Sequence, residues 1–200
     1  MKVLLLIDLQ NDFLPGGALA VPHGDEAVAV ANQLMPAYDA VVATQDWHPP
    51  DHLSFASQHP GRRPGDVIRL DGISQVLWPD HCVQGTPGAQ FAPRLDATRI
   101  DRVVRKGSDR RVDSYSGFFD NLRRHDTGLD AVLRSLGTRA LHIVGLATDY
   151  CVKASALDAV TLGYRTTVLR RGVRGVELVP GDCQRALAKM AAAGVLLADG

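Results

Sequence analysis

The sequence lacks several features that would place it in common classes of protein. Three cysteines in 200 residues are too few, and odd in number, for a disulfide framework, which favours a reducing compartment. No apolar run approaches the roughly 20 residues of a membrane span, and the short apolar start of the chain lacks the marks of a secretion signal. The formal net charge is +0, so nothing favours nucleic acid or a membrane surface as a partner. We therefore expect a cytoplasmic protein that acts on a small molecule.

Short apolar runs alternate along the chain with segments of helical periodicity. The predicted strands are 2–8, 40–44, 102–106, 140–146, 165–169 and 195–198. The predicted helices are 25–35, 128–135, 149–162 and 180–193. Near-continuous apolar strands are typical of strands covered on both faces. This alternation predicts one α/β domain over residues 1–200, with a doubly wound, mostly parallel sheet and helices on both faces.

One segment, from about 45 to 93, interrupts this pattern. It holds seven of the 11 prolines, both tryptophans and four of the seven histidines. A loop of this length in a compact domain is either functional or disordered, and disordered segments are poor in aromatic residues. The segment is therefore predicted to be an ordered, functional insertion.

Polar residues end several of the predicted strands. Asp8 closes the first strand, Asp46 and His48 follow the second, Lys106 closes the third, and the fourth leads through a short turn to Cys151. In doubly wound sheets, ligands bind beyond the carboxyl ends of the strands. These residues are therefore predicted to meet at one edge of the sheet.

Cys151 is the candidate nucleophile. It lies near the start of a predicted helix, with Thr148 or Asp149 as the expected cap, and the positive end of a helix lowers a thiol pKa. A free cysteine is, however, often a small buried core residue, and position alone leaves the two readings about even.

Asp8 and Lys106 strengthen the catalytic reading. A carboxylate within reach can take the thiol proton, and an ammonium beside a thiol favours the thiolate. The chain has only four lysines against 18 arginines, so lysine is not its default basic residue. The alternatives are that Asp8 caps a turn and that Lys106 pairs with it or is solvated.

Asp46 and His48 form a second candidate cluster, because two residues apart on an extended chain their side chains point the same way. With His81 they offer two imidazoles and a carboxylate, a ligand set for one divalent metal ion; zinc is the first expectation, with iron and manganese as alternatives. The alternative reading is a surface aspartate with loop histidines. Whether His52 contributes is left open.

Several motifs, in order along nearly the whole chain, resemble those of the bacterial nicotinamidases, a family of isochorismatase-like cysteine hydrolases. The motifs are Asp8-Leu9-Gln10-Asn11-Asp12-Phe13, Gln45-Asp46-Trp47-His48-Pro49, Trp78-Pro79-Asp80-His81-Cys82, Lys106-Gly107, Asp113-Ser114-Tyr115 and Ala147-Thr148-Asp149-Tyr150-Cys151. The resemblance implies a six-stranded parallel sheet of order 3-2-1-4-5-6, wrapped by helices.

The resemblance also implies roles for individual residues. The implied catalytic triad is Asp8, Lys106 and Cys151. The implied metal ligands are Asp46, His48 and His81. The residues implied to pack around the substrate ring are Phe13, Leu19, Trp78 and Tyr115. A cis Leu146–Ala147 bond and an oxyanion hole formed by the backbone amides of Ala147 and Cys151 complete the implied site.

The activity that the resemblance implies is hydrolysis of nicotinamide to nicotinate and ammonia through a cysteine thioester. This reaction would feed NAD salvage, and pyrazinamide is a further expected substrate. The sequence leaves open whether the protein forms a homo-oligomer.

Three alternative hypotheses stay in view. A related hydrolase acting on a carbamoyl or vinyl-ether substrate would need no metal, so the Asp46, His48 and His81 cluster counts against it. A catalytically silent flavodoxin-like binding module would keep Cys151 as an ordinary core thiol. A metalloamidase that uses zinc hydroxide would retain most of its activity in a Cys151→Ser variant.

Overall fold

Six parallel strands form the central sheet of the computed structural model, which describes residues 1–199. The strands are β1 (Lys2–Ile7), β2 (Ala40–Asp46), β5 (Arg102–Lys106), β6 (Ala140–Leu146), β7 (Arg165–Arg174) and β8 (Leu196–Ala198). Their spatial order is β5-β2-β1-β6-β7-β8, and every pair of neighbours is parallel. Counted along the chain, these six strands have the order 3-2-1-4-5-6, which confirms the predicted fold.

Helices cover both faces of this sheet. They are α1 (Gly24–Leu34), α2 (Leu129–Ser135), α3 (Lys153–Thr161) and α4 (Asp182–Ala192). The side chains of β1 alternate between two apolar cores: Leu4 and Leu6 pack with α1, and Leu5 and Ile7 pack with α2 and α3. Burial on both faces explains why this strand is apolar from Val3 to Ile7. Among residues 1–199, no helix is long and apolar enough to cross a membrane.

The segment 45–93 contains secondary structure that the sequence analysis did not predict. An antiparallel hairpin consists of β3 (Val67–Leu70) and β4 (Ile73–Val76) and forms a second, two-stranded sheet. Asp71 and Gly72 connect its strands, with φ of 48° and 89°. Two positive φ values in a two-residue loop are the signature of the type I′ turn that Asp-Gly favours.

Several element boundaries differ from prediction for local reasons. β1 ends at Ile7 because Asp8 adopts a left-handed φ of 48°, a conformation that aspartate tolerates better than most residues. β2 continues to Asp46, which is paired with Lys106 of β5. The predicted helix 149–162 begins instead as a π-helical turn, Thr148–Val152, and becomes α-helical only at Lys153.

Candidate active site

The ammonium group of Lys106 is the centre of a buried cluster at the carboxyl edge of the sheet. Its Nζ lies 2.9 Å from Asp8 Oδ2 and 2.6 Å from Asp46 Oδ1, and it also donates to the Ser114 carbonyl at 2.9 Å. Its distance to Cys151 Sγ is 3.5 Å. One carboxylate oxygen of Asp8 lies within 4.8 Å of the same sulfur. The structure therefore brings the acid, the amine and the thiol together.

Burial sets the protonation of this cluster. It raises the pKa of Asp8 to about 6, although the Lys106 ammonium opposes this shift. Burial alone would lower the pKa of Lys106, but the carboxylates of Asp46 and Asp8 outweigh it and raise that pKa well above its usual value. Burial also raises the pKa of the Cys151 thiol well above the ordinary range. At neutral pH the cluster thus holds an ammonium, an ionised Asp8 and a protonated thiol.

The expected lowering of the Cys151 pKa by a capped helix start is wrong. Cys151 is 7% exposed, and the π-helical turn that carries it has no side-chain cap. The carboxylate of Asp149, an expected cap, instead accepts backbone N–H groups from Val176 and Glu177. The Leu146–Ala147 peptide bond before this turn is cis, as the resemblance implied.

The second buried cluster consists of Asp46, His48 and His81, whose potential ligand atoms all lie within 4.8 Å of one another. Asp46 Oδ2 is 3.5 Å from His48 Nε2 and 3.9 Å from His81 Nε2. Asp46 is held in place by Gln10, which exchanges two hydrogen bonds of 2.8 Å with its backbone. The side chain of Gln10 is a positioning contact that the sequence analysis did not identify.

Both imidazoles are oriented as metal ligands usually are. Nδ1 of His48 bonds the Gly107 carbonyl at 2.8 Å, and Nδ1 of His81 bonds the Pro79 carbonyl at 2.8 Å. Such backbone contacts leave Nε2 as the free acceptor in the neutral ring. Within residues 1–199, His48 Nε2 is buried without a hydrogen-bond partner, and burial lowers the pKa of His81 to about 4. These three residues fit a bound divalent cation.

Two further features define this cluster. Gly107 has a φ of 66°, and a Cβ at this position would clash with the His48 ring, so glycine permits the close approach of the histidine. His52 packs against His48 with ring centroids 4.4 Å apart and ring planes tilted by 45°, and it forms a separate potential ligand group with His48 and Asp113. The structure thus places His52 behind His48, and not beside Asp46 and His81.

A cavity lies above both clusters and encloses about 340 Å³ together with the open space at its mouth. Its walls are Phe13, Leu19, Asp46, Trp78, His81, Asp113, Tyr115, Ala147, Tyr150, Cys151 and Val176. The four residues predicted to surround a substrate ring all line it, as do both residues predicted for the oxyanion hole. Its walls are mostly aromatic and aliphatic and surround the Cys151 thiol, so a compact aromatic amide suits it.

Three lining residues were not predicted: Asp113, Tyr150 and Val176. Tyr150 packs edge-on against Trp78, at 4.8 Å between ring centroids, and against Tyr115, at 5.4 Å. Its position beside Cys151 was the available signal. Val176 gave no signal, because it lies in a loop after β7 with no polar motif.

A family model, the isochorismatase domain, matches residues 2–199. The chain therefore belongs to the isochorismatase family. Within that family, a nicotinamidase of Escherichia coli is 52% identical over 200 residues, covering 98% of this chain and 93% of its own.

Two solved structures are also similar. The yeast nicotinamidase bound to the inhibitor nicotinaldehyde has a TM-score of 0.94 and 34% identity, with 100% of both chains covered. The pyrazinamidase of Pyrococcus horikoshii in complex with zinc has a TM-score of 0.80 and 35% identity, covering 100% of this chain and 99% of that one. The prediction of a nicotinamidase-type amidohydrolase is confirmed by these relatives.

Proposed function

We propose that this chain hydrolyses nicotinamide to nicotinate and ammonia, with Cys151 as the nucleophile, and so supplies nicotinate for NAD salvage. The observation that carries the proposal is the contact of one ammonium, Lys106 Nζ, with Asp8 and with the Cys151 sulfur at the floor of a small aromatic cavity. In this proposal residues 1–200 act as one catalytic domain. The insertion 45–93 contributes the metal ligands and Trp78, which lines the cavity.

The acylation step begins from a protonated thiol. Asp8 takes the thiol proton as the sulfur of Cys151 attacks the carboxamide carbon, and the Lys106 ammonium stabilises the negative charge on sulfur during transfer. Because the pKa of Asp8 is about 6, its carboxylate is ionised at neutral pH yet basic enough to accept a proton. Asp8 then gives this proton to the amide nitrogen as the carbon–nitrogen bond breaks. Ammonia leaves, and a thioester remains.

Deacylation reverses the proton transfers. Asp8 takes one proton from the attacking water, the carbon–sulfur bond breaks, and this proton passes to the Cys151 sulfur. The nicotinic acid that forms loses the second water proton to solvent and leaves as nicotinate. In both steps the backbone amides of Ala147 and Cys151 are proposed to hold the oxyanion. Such a donor contributes about 2.7–4 kcal/mol in comparable sites.

Asp46, His48 and His81 are proposed to hold a divalent metal ion, with zinc as the first expectation. Their geometry supports this assignment, as does the zinc complex of the Pyrococcus horikoshii pyrazinamidase. When bound, such an ion would offer open coordination positions to the ring nitrogen of the substrate and so orient the amide over Cys151. Pyrazinamide also carries a ring nitrogen, so it is proposed as a second substrate.

The test is ammonia release from nicotinamide, pyrazinamide, benzamide and an N-carbamoyl amine by the purified protein. We expect activity on the first two, little on benzamide, which lacks the ring nitrogen, and none on the last. Preferred hydrolysis of the N-carbamoyl amine would contradict the proposal.

Variants of the thiol separate covalent catalysis from its alternatives. Cys151→Ala and Cys151→Ser should both lose turnover, whereas Cys183→Ala, a change to a thiol on α4 outside the cavity, should not. A trapped thioester should be visible by mass spectrometry in the native protein only. Retention of most activity by Cys151→Ser would instead support attack by a metal-bound hydroxide.

A further inference from the structure

The loop between β7 and α4 forms one wall of the active-site cavity, although it buries few of its own side chains. Its Val176 lines the cavity together with Ala147, Tyr150 and Cys151. Further along the loop, Leu178 and Val179 are 45% and 58% exposed. Val176 packs partly against the apolar core, but Leu178 and Val179 contribute little apolar packing, so the position of the loop also depends on polar contacts.

One buried carboxylate supplies those contacts. Asp149 is 2% exposed, and its Oδ1 accepts the backbone N–H of Val176 at 3.0 Å while its Oδ2 accepts that of Glu177 at 2.8 Å. Both oxygens are thus used to hold the wall. Hydrogen bonds to a charged acceptor are stronger than those between neutral groups.

The same residue belongs to the turn that carries the nucleophile. Asp149 lies in the π-helical turn Thr148–Val152, two residues before Cys151. That turn is closed by the N–H groups of Tyr150 and Val152, which both donate to the Ala147 carbonyl. Asp149 therefore joins two parts of the cavity lining, the turn that carries Cys151 and the loop that carries Val176.

The loop is held tightly at its two ends. At one end, a Cβ on Gly175 would clash with Cys183 Sγ and come within 2.9 Å of Asp149 Oδ1. At the other, Glu177 Oε1 accepts the backbone N–H of Gly181 at 2.8 Å. With both ends fixed, a change at Asp149 affects chiefly the short stretch that includes Val176.

We infer that Asp149 is a positioning residue that sets substrate selectivity by holding Val176 against the ring of the bound amide. This inference rests on the proposed function, since it concerns how closely the cavity fits a pyridine carboxamide. With the wall in place, substituents on the ring are excluded. With the wall released, nicotinamide is held less firmly and substituted rings are admitted.

Asp149→Asn tests the inference with little change in side-chain volume. An amide offers one acceptor oxygen, so one of the two backbone N–H groups would face an NH₂ group and lose its partner. We expect KM for nicotinamide to rise about three- to tenfold, the range that corresponds to one lost hydrogen bond, with kcat little changed. The kcat/KM ratio of ring-methylated nicotinamides to nicotinamide should rise by a similar factor.

A double-mutant cycle with Val176→Ala tests whether Asp149 affects substrate selectivity through Val176. Val176→Ala alone should raise the same selectivity ratio, and Asp149→Asn should add little in that background because the wall atoms are already gone. Asp101→Asn is the matched control: its carboxylate also accepts a backbone N–H, from Val41 at 2.8 Å, but at the opposite edge of the sheet. This control should leave KM and the ratio unchanged.

The possible failures are distinguishable. If the native protein does not deamidate nicotinamide, the proposed function is wrong. If it does, but Asp149→Asn leaves both KM and the selectivity ratio at native values, only the inference is overturned. Additive effects of the two substitutions would overturn it as well. Should Asp149→Asn fail to fold, an unchanged ratio in Val176→Ala would still refute the role of the wall.

Discussion

The pKa of Asp8 makes a quantitative prediction about the pH dependence of catalysis. Asp8 acts as a base only when ionised, so activity is lost as pH falls through its pKa of about 6. For that pKa the ionised fraction is about 99% at pH 8 and about 9% at pH 5, a loss of roughly tenfold in kcat/KM. An ordinary aspartate, with a pKa near 3.9, would still be about 93% ionised at pH 5.

A substitution at Thr44 tests whether this loss of activity at low pH, the acidic limb of the pH profile, is due to Asp8. Its hydroxyl donates to Asp8 Oδ1 at 2.6 Å, which favours the carboxylate form and opposes the effect of burial. Thr44→Val removes the hydroxyl with almost no change in shape. A hydrogen bond to a charged group contributes about 1.5–3 kcal/mol, so the limb should move upward by about one to two pH units.

The assay is the initial rate of ammonia release at substrate concentrations far below KM, between pH 4.5 and 9, with metal supplied in excess. The midpoint of the low-pH loss of activity should be the same for nicotinamide and pyrazinamide. The ring nitrogens of these substrates differ in basicity, so a shared midpoint indicates ionisation of a group on the enzyme. Thr44→Ser keeps the donor and is the matched control. A native rate that stays flat down to pH 5, or a limb that does not move in Thr44→Val, would refute the assignment of Asp8 as the base.

Two further substitutions test the buried charges. Lys106→Met leaves two buried carboxylates without their counterion, so it should lower the free energy of unfolding by about 3–5 kcal/mol. The measurement is urea titration of the metal-free protein at pH 7, with Lys153→Met as a control that should not show this loss. A loss below about 1 kcal/mol in Lys106→Met would contradict the ion-pair geometry. His48→Ala should lose bound metal, measured by elemental mass spectrometry, and activity together, while Cys151 still reacts with a small alkylating agent. The exposed His23→Ala variant should keep both, and a metal-free His48→Ala protein with native activity would show that this cluster has no part in catalysis.

The sheet was predictable from the sequence because its physical cause is local. Strands covered on both faces are apolar over most of their length, and the runs in β1 and β6 stand out for that reason. The hairpin of β3 and β4 was missed although its turn, Asp71-Gly72, carries a strong local signal. Apart from the buried Gln75, the residues of its strands are partly or largely exposed, so these strands lack the continuous apolar pattern that identified the others.

The residue types of the site were also predictable, but the electrostatics were not. Position near a helix start suggested a lowered pKa for Cys151, and the structure gives the opposite direction because burial outweighs the nearby ammonium. Burial depends on how the loops close over the sheet. The two hydrogen bonds that Asp149 accepts from the loop after β7 likewise join parts of the chain whose relation only the fold determines.

Asp46 shows most clearly why a site cannot be read from types and spacing alone. The sequence assigned it to the metal cluster and Lys106 to the thiol cluster, as two separate sets. In the fold Asp46 and Lys106 are register partners on the parallel strands β2 and β5, and their side chains meet at 2.6 Å. One carboxylate therefore belongs to both clusters: one oxygen contacts the ammonium beside Cys151, and the other faces the two imidazoles. Because this link arises from strand register, which spacing along the chain does not determine, a change at Asp46 should disturb both the metal site and the nucleophile.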